Sequence, residues 1–240
     1  MKQGSLNLLI IFGAIVVGVL IYEYMLPKYI KDGGPLVAML IALSVMVLTY
    51  TIERLLSLKK AGGKGPLPKF LKTLVQNLNA NDITAAVAAC DAQRGSLASI
   101  VKTGLERYQE LSSKKDLATK ERMEEVKRVI DEATMLEMPV LEKNLVSLST
   151  IASISTMVGL LGTVIGMIRS FAAMANAGAP DATQLSLGIS EALINTAGGI
   201  SIGIAAIVAY NFFTTKIDGM TYMIDEASKD IITNLQAKHE

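Results

Sequence analysis

The chain has 240 residues, 51% hydrophobic and 19% charged, with a formal net charge of +1, so no bulk field directs it to nucleic acid. Cys90 is its one cysteine and His239 its one histidine, which excludes an intrachain disulfide, a thiolate or histidine metal site, and Ser-His-Asp or Cys-His catalysis. The sequence therefore points away from an enzyme, a cofactor or a metal, and the placement of its charges carries the reading instead.

Residues 3–22, 33–52 and 144–168 contain no Asp, Glu, Lys or Arg, and residues 182–215 contain only Glu191. About 20 mainly apolar residues cross a bilayer as a helix, so each stretch predicts a span, with the densely charged residues 53–143 in water. In the first, the apolar run Leu6–Ile21 is longer than that of a signal peptide. It ends in Tyr22-Glu23-Tyr24-Met25, with no small-x-small cleavage site. Residues 1–30 are read as an additional N-terminal transmembrane helix and residues 31–60 as the next.

After that second span Arg54, Lys59, Lys60, Lys64, Lys69 and Lys72 stand against Glu53, which places this side in the cytoplasm by the excess of positive charge. The opposite loops are short, with Lys28, Lys31 and Asp32 in one and Asp181 in the other. The expected topology has both termini in the cytoplasm, four spans, and a large cytoplasmic helical domain over residues 61–138.

Within that domain Gly62-Gly63-Lys64-Gly65-Pro66 breaks the extension of the second span. Asn81-Asp82 is a cap for a helix Ile83–Ala92, ended by Gly95. Ser96–Leu111 carries Leu97, Ile100, Val101 and Leu105 at helical spacing. Residues 115–143 place Met123, Val126, Ile130, Met135 and Leu141 among charges. With only Pro139 interrupting, a helix from about 117 to 171 is expected, roughly 80 Å long at 1.5 Å per residue. Its membrane part is residues 139–175, followed by a span at 182–215 and a cytoplasmic helix at 216–240. Ile217, Met220, Ile224, Ile231 and Leu235 of the last are available for packing. The fold class is thus all-α: a polytopic membrane protein whose long helices extend into a cytoplasmic helical domain.

Three features of the last two spans carry chemistry. Ser149, Thr156, Thr163 and Ser170 recur every seven residues. Seven residues turn a helix by about 20° from a full repeat, so the four hydroxyls make one polar stripe with Gly159 and Gly166 on the same side. The ordinary alternative for each hydroxyl is a bond to its own i−4 carbonyl. Second, Glu191 is the one deep intramembrane acid, costly at bilayer centre unless it faces protein or water or is neutral. Asn195 stands one turn on, and the alternative is a structural polar cluster. Third, Thr196 shares a side with Gly199 and Gly203, whose spacing permits close helix approach; for the glycines packing alone suffices. Thr196 and Glu191 differ by roughly 140° around the helix. Thr196 is therefore expected at a central helix or pore, and Glu191 with Asn195 at a neighbouring subunit. Arg169 is placed to snorkel outward, with ion entry as its alternative role.

The runs Gly159-Leu-Leu-Gly162-Thr163-Val164-Ile-Gly166 and Glu191-Ala-Leu-Ile-Asn195-Thr196-Ala197, with Tyr210-Asn211-Phe212-Phe213 and Ile52-Glu53-Arg54-Leu55-Leu56, resemble the MotA/TolQ/ExbB proton channel family, on the ExbB side. The resemblance implies a homo-pentamer in the bacterial inner membrane around helices of an ExbD-like partner that supplies a proton-carrying Asp. Thr163 and Thr196 would face that Asp, and Glu191 would serve assembly or function. A TonB-like protein would carry the work to outer-membrane transporters. A TolQ-like envelope role and a MotA-like stator are the alternatives. The chain departs from the family pattern at Ser155-Thr156, at Ala205, and in its extra N-terminal span.

Overall fold

The computed structural model describes residues 3–112, 119–176 and 182–236. Among these residues the secondary structure is helical throughout, without a strand: α1 (Gln3–Tyr24), the single turn α2 (Lys28–Lys31), α3 (Leu36–Ala61), α4 (Leu67–Asn79), α5 (Ile83–Gln93), α6 (Ser96–Ser112), α7 (Thr119–Leu141), α8 (Leu145–Asn176) and α9 (Ala182–Gln236). The expected helix start near residue 117, Asp181 and His239 lie outside the described residues.

The chain divides into two compact units, Met1–Glu53 with Asn144–Phe212, and Arg54–Lys143 with Phe213–Glu240. In the first, apolar unit, the stretches in α3, α8 and α9 are each long and apolar enough to cross a membrane. Their outer faces are greasy: Leu48, Leu160, Val164, Ile168, Leu193, Ile204 and Val208 are all more than half exposed. Water tolerates no apolar patch of that extent, so this is a membrane protein. The described apolar part of α1, Leu9–Tyr24, is shorter than the other three. Helix α1 lies close against α3, since a Cβ on Gly18 would stand 2.9 Å from the Ala42 nitrogen.

The second, charged unit has its own core. Helix α4 buries Phe70, Leu74 and Leu78, spaced four apart on one face; α6 buries Leu97, Ile100, Val101 and Leu105; α7 buries Met123, Val126, Ile130 and Leu141. The tail of α9 adds Ile217, Ile224, Ile231 and Leu235, each at most 2% exposed. Met135, one of the apolar positions read along α7, is 74% exposed, since it lies roughly 140° around the helix from Ile130. Asp82 caps α5, accepting a bond from the Ala85 amide at 2.8 Å. Where α5 ends, Gly95 (φ 89°) and Gly63 (φ 77°) come together so closely that a Cβ on Gly95 would lie 2.7 Å from the Gly63 nitrogen. The Lys64 amide donates to the Gln93 carbonyl at 2.6 Å, and the buried Gln93 side chain donates to the Gly62 and Gly65 carbonyls.

The expected unbroken helix from about 117 to 171 is interrupted between Leu141 and Leu145. Asn144 takes a left-handed φ of 62°, which Asn tolerates better than most residues, and Pro139 deletes one amide donor from the turn before. The carbonyl of Leu141 is then satisfied by the Arg54 guanidinium at 3.1 Å. In the apolar unit the Asn144 side chain donates to Glu53 at 3.1 Å.

Candidate functional site

Helices α8 and α9 lie antiparallel, and the seam between them is made of backbone. As α8 ascends through Ala152, Gly159, Gly166 and Ser170, its partners on α9 descend through Gly203, Gly199, Gly188 and Leu185. A Cβ would stand 3.0 Å from the Asn195 oxygen if placed on Gly159, 2.6 Å from the Gly188 oxygen on Gly166, 2.5 Å from the Ser155 oxygen on Gly199, and 2.8 Å from the Thr156 hydroxyl on Gly203. Gly162 is tighter still, with a Cβ 2.3 Å from that of Asn195. Small residues at this spacing let helices approach to van der Waals contact in lipid, where no hydrophobic force drives them together.

The seam brings two threonines together. The hydroxyls of Thr163 and Thr196 are 3.2 Å apart. Thr163 donates to the Leu160 carbonyl at 2.8 Å, and Thr196 can reach the Gly159 carbonyl at 3.2 Å. A hydroxyl has one proton to give and two lone pairs, so the pair keeps acceptor capacity for an incoming donor. Both side chains are half-buried. An open, mostly apolar depression lies beside them, lined by Thr163, Val164, Met167, Ile168 and Phe171.

The other members of the heptad stripe lie differently. Ser149 and Thr156 donate to carbonyls of their own helix, Val146 and Ala152, both at 3.1 Å. Ser170 is fully buried and donates across the seam to the Leu185 carbonyl at 3.2 Å. A rotation of about 20° per heptad carries it from the Thr163 side into the helix contact.

Glu191 and Asn195 do not face a neighbouring subunit as expected; they are 7% and 0% exposed inside their own chain. Asn195 Nδ2 donates to the Gly33 carbonyl at 2.7 Å and to the Glu191 carbonyl at 2.9 Å. Arg169, with its side chain 53% exposed, pairs through its guanidinium with the Glu191 carboxylate. Gly34 (φ 74°) sits against the pair, where a Cβ would be 2.5 Å from a Glu191 oxygen. A buried carboxylate is tolerated when paired and hydrogen-bonded, and the Arg169 guanidinium supplies both here. Glu191 and Thr196 thus occupy separate sides of α9, in keeping with the angle between them.

Gly33 and Gly34 were not singled out in the sequence, and Gly162 and the fully buried Arg54 and Ser155 were named there without a packing role. A paired glycine between two apolar stretches, and a glycine three residues after Gly159, were the available signals. Nothing in the composition marks an arginine that will be buried.

A sequence model described as the MotA/TolQ/ExbB proton channel family matches residues 92–226. The chain belongs to this family. The match contains the threonine pair, the glycine seam and the Arg169–Glu191 pair. The biopolymer transport protein ExbB-like 3 of Synechocystis is 36% identical over 109 residues, 45% of this chain and 52% of that protein. The Tol-Pal system protein TolQ of Pseudomonas aeruginosa is 35% identical over 117 residues, 49% of this chain and 51% of that protein. The biopolymer transport protein ExbB of Helicobacter pylori is 42% identical over 78 residues, 32% of this chain and 54% of that protein. The chain spans about half the length of the curated relatives it matches. These family relatives bear transport and Tol-Pal names rather than enzyme names.

Proposed function

We propose that the chain is an inner-membrane proton-channel subunit that works with an ExbD-like partner to turn proton motive force into mechanical work for TonB-dependent outer-membrane transport. The contact between Thr163 and Thr196 carries this reading. Two hydroxyls that do not titrate in the physiological range can orient and solvate a proton carrier but cannot be one. The acid of the chain's own spans, Glu191, is engaged by Arg169. The titrating carboxylate therefore comes from a helix of another chain, which the depression beside Thr163 would admit. One proton crossing 100 mV releases about 2.3 kcal/mol, so each mechanical step is small or uses several protons.

In this reading Thr163, Thr196, Thr156 and Ser149 belong to the proton pathway, Ser170 ties its outer end to α9, Glu191 and Asn195 hold the hairpin loop at Gly33–Gly34, and Gly159, Gly166, Gly199 and Gly203 close the seam. Helix α1 is a fourth span, both termini are cytoplasmic, the charged unit is the cytoplasmic domain, and the assembly is a homo-pentamer in the lipid bilayer. The test is to purify the chain with its partner after replacing Thr163 or Thr196 by Val. Energised uptake should vanish while the complex persists, and wild-type uptake in both variants would overturn the reading.

A TolQ-like role in envelope maintenance is the second reading, because relatives named TolQ and ExbB match at similar identity. Complementation of strains lacking one or the other protein separates the two.

A further inference from the structure

The charged unit contains a cleft of about 520 Å³, within the range of small-ligand sites. It is open at one side and lies where the end of α3, the Gly62–Pro66 loop and the start of α6 converge. Lys60, Lys64 and Arg94 line it, with the hydroxyl-bearing Ser57, Ser96 and Ser99. Glu137 is the one acid on its wall, which leaves an excess of two positive charges. Among the described residues no carboxylate pairs with any of the three cations.

The cleft is also built rather than incidental. Its floor is the interlocked backbone of Gly63 and Gly95, and Arg94 is held at φ 57° and ψ 179°, a region that is essentially glycine's. That conformation fixes the root of a cationic side chain at the cleft. The seventeen-residue α6 begins at the same wall, adding the positive end of its dipole to the three cations.

We infer that this cleft binds a phosphate group. A phosphate offers several acceptor oxygens and up to two negative charges, matching the hydroxyls and the excess charge. Two sources present that chemistry, the headgroup of an anionic phospholipid and free phosphate. Lys60 lies eight residues, roughly 12 Å of helix, beyond the end of the uncharged stretch at Ile52, and long lysine side chains reach back toward a headgroup layer.

The experiment uses the full chain in detergent, with a Lys60→Gln/Lys64→Gln variant and an Arg94→Gly variant. The second removes the guanidinium and at the same time relieves the backbone, so its loss of binding would not come from misfolding. Phosphatidylglycerol or phosphatidylcholine is added and retained lipid counted by native mass spectrometry. Separately, inorganic phosphate replaces chloride at constant ionic strength and thermal unfolding is followed. Retention of phosphatidylglycerol over phosphatidylcholine, reduced about tenfold in both variants, assigns a lipid headgroup. A phosphate-dependent rise in Tm, absent from the variants and without lipid retention, assigns free phosphate. If wild type shows neither effect, or both variants match it, the inference is overturned.

Discussion

Arg54 and Leu141 are 87 residues apart in sequence, yet the fully buried guanidinium of Arg54 donates to the carbonyl of Leu141 at 3.1 Å. The carbonyl belongs to the last turn of α7, where no further helical amide follows to take it. Arg54→Met leaves that acceptor without this donor in a dry setting, at a cost of about 1–3 kcal/mol. Thermal unfolding of the purified chain checks this, and an unchanged Tm would show that water reaches the turn.

The pairing of Arg169 with Glu191 is lopsided, with side chains 53% and 9% exposed respectively. Removing Arg169 strands a buried carboxylate, whereas removing Glu191 strands a cation that already meets solvent or headgroups. Arg169→Gln is therefore the more damaging change, by about 1–3 kcal/mol after allowing for its exposure. Unfolding midpoints of the two single variants give the order, and the reverse order would contradict the asymmetry.

The glycines separate into two classes. Gly162→Ala drives a Cβ to 2.3 Å from that of Asn195, so the helices must part. Gly219→Ala meets nothing within 4 Å and gains about 0.5–1 kcal/mol from the stiffer backbone. Gly162→Ala should lower Tm and Gly219→Ala should raise it slightly, measured side by side in the same detergent.

Burial pushes the Cys90 thiol up to about 12, with Asp91 adding to the effect. The thiolate is the reactive form, and the side chain is 2% exposed. A maleimide reagent at neutral pH should leave Cys90 unlabelled in the folded chain and label it stoichiometrically in denaturant. Rapid native labelling would mean that α5 opens.

Across α6 and α7, Arg128 and Arg107 hold the Glu125 carboxyl down at about 2. A carboxyl lowered on folding stabilises the protein above its ordinary titration range, and that contribution is lost as pH falls toward the lowered value. The Tm difference between wild type and Glu125→Gln should thus be constant from neutral pH to about 4.5 and close below it. A difference that does not change with pH would remove the carboxylate from the account.

The helices were legible wherever period and punctuation agreed. Ile217, Ile224, Ile231 and Leu235 are at helical spacing and are buried, and Asp82 caps the helix that its position announces. Met135 is apolar too, yet it stands five residues beyond Ile130, roughly 140° around α7, and is exposed, because apolar character without the spacing does not put a residue on the packed face. The break at Asn144 escaped because the sequence shows a lone Asn, while the left-handed turn depends on tertiary hydrogen bonds at Leu141 and Asn144. Thr163 and Thr196 stood out as hydroxyls in apolar spans, but their contact did not, since register across a hairpin depends on which glycines meet. The partner of Glu191 was misread for a related reason: Arg169, 22 residues away, comes within reach only when α8 and α9 lie antiparallel in this register.

A junction closed by main-chain atoms has little freedom to repack. Side chains can exchange rotamers to absorb a push, but glycine Cα atoms against carbonyl oxygens have no such slack. The two helices carrying Thr163 and Thr196 would accordingly behave as one rigid strut, and a force applied at either threonine would displace both together.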